Sequence, residues 1–305
     1  MRTRLAPSPT GSLHLGNICT FVINWIIARQ NNWEIVMRIE DIDGPRKQTN
    51  TITQTIDILQ WIGLDWDGDI VIQSEALESS KAMLKSLIMN NLVYHCSLTR
   101  KEIESVLSAP HSNATPKEPI YRPENVELHN SNQPNTSTNW RFITDHSMQI
   151  VHDELLGDVE FVTEQDFVVW TKNNMPAYQL AVVADDHRQG ITHVVRGNDL
   201  LQSAAWQEQL YASMGWATPK WLHLPLIVGI DGKRLAKRHG DSRISTFRTL
   251  GVSPERIIGL LAMWTATQQE REPMTLETFT NTFTTQTLQE SNIVLTQEDE
   301  AWLLE

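Results

Sequence analysis

Two stretches of this chain carry residues whose types and spacing suit the handling of phosphate. In the first, Arg4-Leu5-Ala6-Pro7-Ser8-Pro9-Thr10-Gly11-Ser12-Leu13 leads into His14-Leu15-Gly16-Asn17. An apolar lead, a Pro/Gly turn and a helix start gather unpaired backbone N–H groups and the positive end of a helix dipole, which together attract an anion. His14 adds a side-chain donor, and Gly16 lets a planar ligand approach the backbone. The second stretch is Gly232-Lys233-Arg234-Leu235-Ala236-Lys237-Arg238-His239-Gly240, a glycine-bounded loop with four cations in nine residues. Such a loop can neutralise a polyphosphate leaving group. Between them lie Glu40-Asp41-Ile42-Asp43, Asp185-Asp186-His187 and Arg196. The carboxylates at 40–43 could bind a metal, orient an amine or cap a helix.

The elements that position these residues follow from periodicity. Ile18, Phe21, Val22, Trp25 and Ile26 fall on one helical face, and Asn17 is the expected N-cap. Glu34–Ile39 is expected as a buried strand, so strand, helix and strand form a βαβ unit and predict a parallel sheet with ligands beyond the strands' carboxyl ends. Helices are expected over Thr51–Ile62 and Ser74–Leu92. The stretch 110–139 is rich in Asn, Ser, Thr and Pro and reads as a long loop. Short strands are expected at Trp140–Thr144, Gln149–His152, Val159–Val162 and Phe167–Thr171, with a hairpin turn at Leu156-Gly157-Asp158. Tyr178–His187 is expected as an apolar strand ending in two acids. Ile191–Asp199 reads as a strand ending near Arg196, Leu200–Met214 as a helix and Trp221–Val228 as the last strand. Ser253-Pro254 opens a helix in a tail of short helices. The expected organisation is α/β: a parallel-sheet nucleotide-binding domain in two halves (1–94 and 176–240), an inserted α+β subdomain (95–175) and a small helical C-terminal domain (241–305).

Composition narrows the function. The chain has 305 residues, 25 basic against 37 acidic, a formal net charge of −12 and 40% apolar residues. That balance argues against non-specific polyanion binding but leaves room for RNA held by a local patch. Two cysteines, Cys19 and Cys96, imply no disulfide framework. The start lacks the apolar core of a signal peptide and no apolar run is long enough to span a membrane, so a cytoplasmic protein is expected. His152, His193 and His223 sit in apolar strand contexts and are expected to be structural.

The ordered pair, His14-Leu15-Gly16-Asn17 and Arg234-Leu235-Ala236-Lys237-Arg238, resembles the two signature motifs of class I aminoacyl-tRNA synthetases, which usually read His-Ile-Gly-His and Lys-Met-Ser-Lys-Ser. With Arg38-Ile39-Glu40-Asp41-Ile42-Asp43, Asp185-Asp186-His187 and Thr192-His193-Val194-Val195-Arg196 in the same order, the chain is similar to the glutamyl-tRNA synthetase group over about residues 2–245. The resemblance implies a Rossmann-like catalytic domain that activates glutamate with ATP, Mg²⁺ arriving with the nucleotide. It implies His14 and Lys237 as catalytic residues. Arg4, Ser8, Glu40, Tyr178 and Arg196 would line the glutamate pocket. Pro7, His14, Gly16, Asn17, Arg234, Leu235, Ala236, Lys237 and Arg238 would contact ATP. Either arginine could take either carboxylate of glutamate.

About 65 residues follow the lysine loop, so a small helical domain and no anticodon-binding region is expected. Length, Val182 (where the full synthetases usually have Asn) and Leu200 (where they usually have an aromatic) make the chain resemble the short glutamyl-queuosine tRNA(Asp) synthetases, whose acceptor is the queuosine base of tRNA(Asp). A monomer is expected. Alternatives are a truncated enzyme charging tRNA(Glu), a non-catalytic tRNA-binding paralogue, or a class I nucleotidyl transferase using another acid. The short family often carries a zinc site opening Cys-x-Cys. Here Cys96 is followed by Leu98, and Asn125 stands four residues beyond Tyr121, so two ligands are missing and no zinc is expected.

Overall fold

The computed structural model describes residues 1–9, 13–42, 49–98, 138–145, 147–163, 165–233, 235 and 242–305. The chain opens with β1 (Arg2–Leu5), α1 (Leu15–Gln30), β2 (Glu34–Ile39), α2 (Thr49–Ile62), β3 (Val71–Ile72), α3 (Glu78–Met89) and β4 (Val93–Cys96). It continues with β5 (Asn139–Phe142), β6 (Met148–Asp153), β7 (Gly157–Val162), β8 (Phe167–Trp170), α4 (Tyr178–Arg188), β9 (His193–Gly197), α5 (Leu201–Ser213), β10 (Lys220–Leu224) and β11 (Ile227–Val228). The last part holds α6 (Ile244–Thr249), α7 (Pro254–Trp264), α8 (Leu276–Thr282), β12 (Ile293–Val294) and α9 (Gln297–Leu304).

Helix α1 forms because its apolar residues recur at helical spacing, and Ile18, Val22, Ile23, Ile26 and Ile27 are all buried. Each such side chain contributes about 1.5–3 kcal/mol relative to exposure. The helix stops at Asn31, and Asn32 takes a left-handed φ of 54°, which Asn tolerates. The chain then returns as β2, parallel to β1 with Arg4 opposite Val36. Strand β3 adds in parallel at Arg38. Strands β9 and β10 pair in parallel, with Arg196 opposite His223. The two parallel groups adjoin, because Thr192 N–H donates to the Arg2 carbonyl at 2.9 Å.

The predicted mixed α/β architecture with a parallel sheet is therefore present. The strands expected within 95–175 divide between two sheets. Strands β4, β5 and β8 form an antiparallel sheet, while the β6–β7 hairpin joins β10 at Asp153–Trp221 and continues the β9–β10 sheet. The hairpin turn falls at Glu154–Leu156, slightly before the expected position.

Four expectations need correction. Tyr178–Arg188 is a helix, not a strand; Gln179 to Asp186 are all buried, and a helix buried on every side has no polar face to reveal its period. The predicted strand Trp221–Val228 breaks after Leu224, where Pro225 supplies no N–H to a ladder. Ser74–Leu92 divides into a short 3₁₀ turn at Gln73–Glu75 and α3. The tail is not wholly helical, since β12 pairs in parallel with β11. Phe279, Phe283, Leu295 and Leu303 of this tail share one apolar core with Leu5, Ile18, Ile26 and Leu59.

Candidate active site

The carboxyl ends of β1, β2 and β9 open onto one cleft of about 450 Å³. Arg4, Pro7 and Ser8 enter it from β1 and the turn after it, Glu40 from the end of β2, Arg196 from the end of β9, and Tyr178 from the start of α4. His14, Gly16 and Asn17 close one side at the start of α1, and Leu226 and Ile227 form a wall after β10. Nine residues expected from sequence therefore meet in one place: Arg4, Pro7, Ser8, His14, Gly16, Asn17, Glu40, Tyr178 and Arg196. Leu235 does not join them; its side chain is buried in the apolar core. Arg234, Ala236, Lys237 and Arg238 lie outside the described residues.

The N-cap of α1 is His14, not Asn17. Asn17 stands one turn in, and its Oδ1 accepts the His14 backbone N–H at 3.2 Å. A Cβ at position 16 would lie 3.3 Å from His14 Nδ1 and 3.5 Å from Ile227 Cβ. Glycine there keeps room for the imidazole as well as for a ligand.

The segment that follows the lysine loop is tied to this helix start. Leu15 N–H donates to the Ser242 carbonyl at 3.1 Å, and Ile244 N–H donates to the Leu13 carbonyl at 2.9 Å. Segment 242–244 is thus paired directly with segment 13–15.

Three buried arginines govern the charge of the cleft. Arg38 lies beneath it, with Nη2 2.9 Å from Glu40 Oε1 and Nη1 2.6 Å from Asp186 Oδ1. Burial opposes its charge, but Asp186 and Glu40 outweigh that and hold the guanidinium firmly protonated. Arg4 Nε is 3.4 Å from the same Asp186 carboxylate, and its Nη1 donates to the Val195 carbonyl at 3.4 Å. Asn24 on α1 fixes this strand end by donating to the Arg4 carbonyl at 2.9 Å.

Arg196 has different company. Its Nε donates to His223 Nε2 at 3.0 Å, its Nη1 to Gln207 Oε1 at 2.9 Å and its Nη2 to the Leu200 carbonyl at 3.2 Å. The Trp221 ring lies 4.8 Å from its guanidinium carbon. Among the described residues, every hydrogen-bond acceptor on Arg196 is electrically neutral. Burial accordingly pushes its pKa down from the ordinary value. A guanidinium has five N–H donors, so two remain for a ligand.

Glu40 is also buried, and desolvation raises its carboxyl pKa although Arg38 and Arg4 pull it down. Burial raises Tyr178 as well. Glu40 and the guanidinium groups of Arg4 and Arg196 thus line one cleft, a carboxylate being suited to an ammonium and a guanidinium to a carboxylate.

Several of these supports were missed in the sequence. His223 is the buried, hydrogen-bonded core residue expected, and the neighbour that satisfies its Nε2 is Arg196. Asp153, Gln207, Gln179 and Ser203 extend the same network: Gln207 donates to Gln179 at 2.9 Å and Gln179 to Ser203 at 3.0 Å. Arg38 and Asp186 were not expected to couple. For part of it the available signal was Gln179 and Asp186 within the largely apolar run 178–187, polar groups that need partners once buried.

Cys96 is buried, while Tyr121 and Asn125 lie outside the described residues. Among the described residues, no cluster of three or more His, Cys, Asp or Glu is placed to hold a metal, and no helix is long and apolar enough to cross a membrane.

Comparison with known proteins adds a family match, two relatives and two solved structures. Residues 1–302 match the model of the class I tRNA synthetases for E and Q, catalytic domain. A glutamyl-Q tRNA(Asp) synthetase of Rhodopirellula baltica is 42% identical over 281 residues, covering 84% of this chain and 82% of its own. A glutamate–tRNA ligase of Parvibaculum lavamentivorans is 36% identical, and there the match spans 83% of this chain but 52% of the relative. The crystal structure of glutamate–tRNA synthetase from Elizabethkingia anophelis superposes with a TM-score of 0.81 at 25% identity, covering 99% of this chain and 69% of that one. The crystal structure of a glutamate tRNA ligase from Elizabethkingia meningosepticum, described as in complex with its amino acid, gives 0.80 at 25%, covering 99% of this chain and 68% of that one.

Proposed function

Because the chain belongs to the class I tRNA synthetases for glutamate and glutamine, and is a ligase of that family, we propose that its cleft activates glutamate with ATP and passes it to the queuosine base of tRNA(Asp). The observation that carries this reading is the pairing of segment 242–244 with segment 13–15, which draws the flank of the lysine loop to His14 and the cleft. A site for ATP needs both ends of that arrangement: donors at a helix start and cations for the departing phosphates.

In the proposed reaction the glutamate α-carboxylate attacks the ATP α-phosphorus and pyrophosphate leaves. The protein mainly positions the reactants and neutralises charge. His14, with Pro7, Gly16 and Asn17, holds the nucleotide; Lys237, with Arg234, Ala236 and Arg238 beside it, meets the β- and γ-phosphates. Magnesium is carried on the phosphate oxygens.

For glutamate, Glu40 takes the ammonium with Ser8 and Tyr178 near it. The charge pattern supports one apportioning of the carboxylates. Arg4 already shares Asp186 with Arg38, whereas Arg196 has neutral acceptors and two donors to give. The side-chain carboxylate therefore goes to Arg196. A hydroxyl of the cyclopentenediol of queuosine then attacks the acyl carbon of the glutamyl-adenylate, forming the ester, and the acyl–phosphate bond breaks to release AMP.

Support for the acceptor is the 42% identity to the glutamyl-Q tRNA(Asp) synthetase together with Val182 and Leu200, Leu200 standing at the cleft's edge. The test incubates the protein with ATP, radiolabelled glutamate and tRNA(Asp) with and without queuosine. Label on the modified tRNA alone is expected. Label on tRNA(Glu) would point to the truncated glutamyl-tRNA synthetase, and failure to form any adenylate would point to a non-catalytic tRNA-binding paralogue.

A further inference from the structure

Behind Arg196 stands a buried pair with no place in the reaction just described. His223 Nδ1 lies 2.7 Å from Asp153 Oδ2, and both side chains are fully buried. Asp153 is itself anchored: its Oδ1 accepts the Leu155 and Leu156 N–H groups at 3.0 and 2.9 Å, and its Oδ2 accepts the His223 backbone N–H at 2.9 Å. These bonds fix the imidazole. Arg196 Nε–H points at Nε2, so Nε2 must be the bare acceptor and Nδ1 must carry the hydrogen. Burial, and the nearby Arg196 and Arg4 charges, further disfavour the imidazolium although Asp153 favours it. No other charged side chain is placed against the ring by these contacts.

The arrangement has a chemical consequence. A carboxylate in contact with Arg196 Nε would neutralise the guanidinium and weaken its preference for an anionic ligand. A neutral imidazole fixes the fork equally well while keeping the negative charge of Asp153 one ring away. We propose that His223, locked as the Nδ1–H tautomer by Asp153, is a positioning residue that presents Arg196 as an undiminished cation and so sets the preference for a carboxylate over a carboxamide side chain. This rests on the reading of the cleft as a glutamate site.

The experiment measures ATP–pyrophosphate exchange by the whole chain with glutamate and with glutamine. In His223→Leu the Arg196 Nε loses its acceptor, and KM for glutamate is expected to rise roughly 10- to 100-fold while KM for ATP stays within about twofold. The glutamate-to-glutamine ratio of kcat/KM falls by a similar factor. His223→Gln places an amide oxygen near the former Nε2 and recovers most of the loss. Asp153→Asn offers an N–H to the imidazole, turns the tautomer round and sets Nε2–H against Arg196 Nε–H; its defect matches that of the Leu variant. Thermal melting identifies a variant that fails to fold, and His223→Gln then carries the test. A normal KM for glutamate in the folded Leu variant, equal rises for glutamate and ATP, or a Gln variant no better than Leu would overturn the proposal. Absence of any exchange by the unsubstituted protein would instead remove the glutamate reading.

Discussion

Arg38 and Arg196 are both buried beside the same cleft, each close to the end of a parallel strand, yet their surroundings are opposite. Arg38 is enclosed by the carboxylates of Glu40 and Asp186. Arg196 is held by an imidazole, an amide and a backbone carbonyl. The first has its counter-charge within the fold and orients Glu40. The second is a cation to which the fold supplies geometry but, among the described residues, no contacting anion, a state that costs stability unless a ligand completes it. Position alone does not separate the two arginines; the charge of their acceptors does.

Substitution separates the two most strongly at Arg38. Arg38→Met strands two carboxylates in a buried setting, and thermal or denaturant unfolding is expected to show a loss of about 3–5 kcal/mol. Arg196→Met relieves a buried cation but strands neutral acceptors, so the stability loss is expected to be smaller than at Arg38, about 1–2 kcal/mol, while kcat/KM for glutamate falls roughly 100-fold or more. If both variants lost stability equally, the contrast would fail. Lys237→Ala should act on another part of the reaction. It is expected to lower kcat of ATP–pyrophosphate exchange roughly 10- to 100-fold with a smaller change in KM for glutamate, because leaving-group charge peaks late.

The smallest effects lie in pH dependence. Burial raises the Glu40 pKa, so kcat/KM for glutamate should fall on acidification with an inflection above the ordinary glutamate value of about 4.3. Glu40→Gln should lower activity and abolish that inflection. The linked stabilities have opposite signs. Folding makes Glu40 bind its proton more tightly, so Glu40 favours the fold at acid pH and disfavours it as pH rises past the unfolded value. Burial opposes ionisation of Asp153, but His223 and the Leu155 and Leu156 N–H groups hold its pKa down. Its contribution is therefore present above the unfolded value and lost as pH falls toward the folded one. Asp153→Asn should flatten that acid limb in a pH series of melts.

The cleft residues were legible because they combine unusual types, such as a histidine and glycine at a helix start or an arginine at a strand end, with an order along the chain that has few other meanings. Their supports were not. Arg196 meets His223 across 27 residues and Arg38 meets Asp186 across 148, and no periodic pattern marks such pairs. Helix α4 escaped because burial on every side erased its amphipathic period, and with it went the placement of Asp186. The split of β10 from β11 was signalled by Pro225, but the apolar run across it masked the break.

The most direct measurement is a cycle that removes the charge once from the protein and once from the ligand: exchange kinetics for glutamate and glutamine with the unsubstituted chain and with Arg196→Met. Expected is a large preference for glutamate in the unsubstituted chain that collapses toward unity in the variant, because the cation and the side-chain carboxylate act on each other. A preference for glutamate that survives intact in a folded Arg196→Met protein would contradict the assignment of that carboxylate to Arg196.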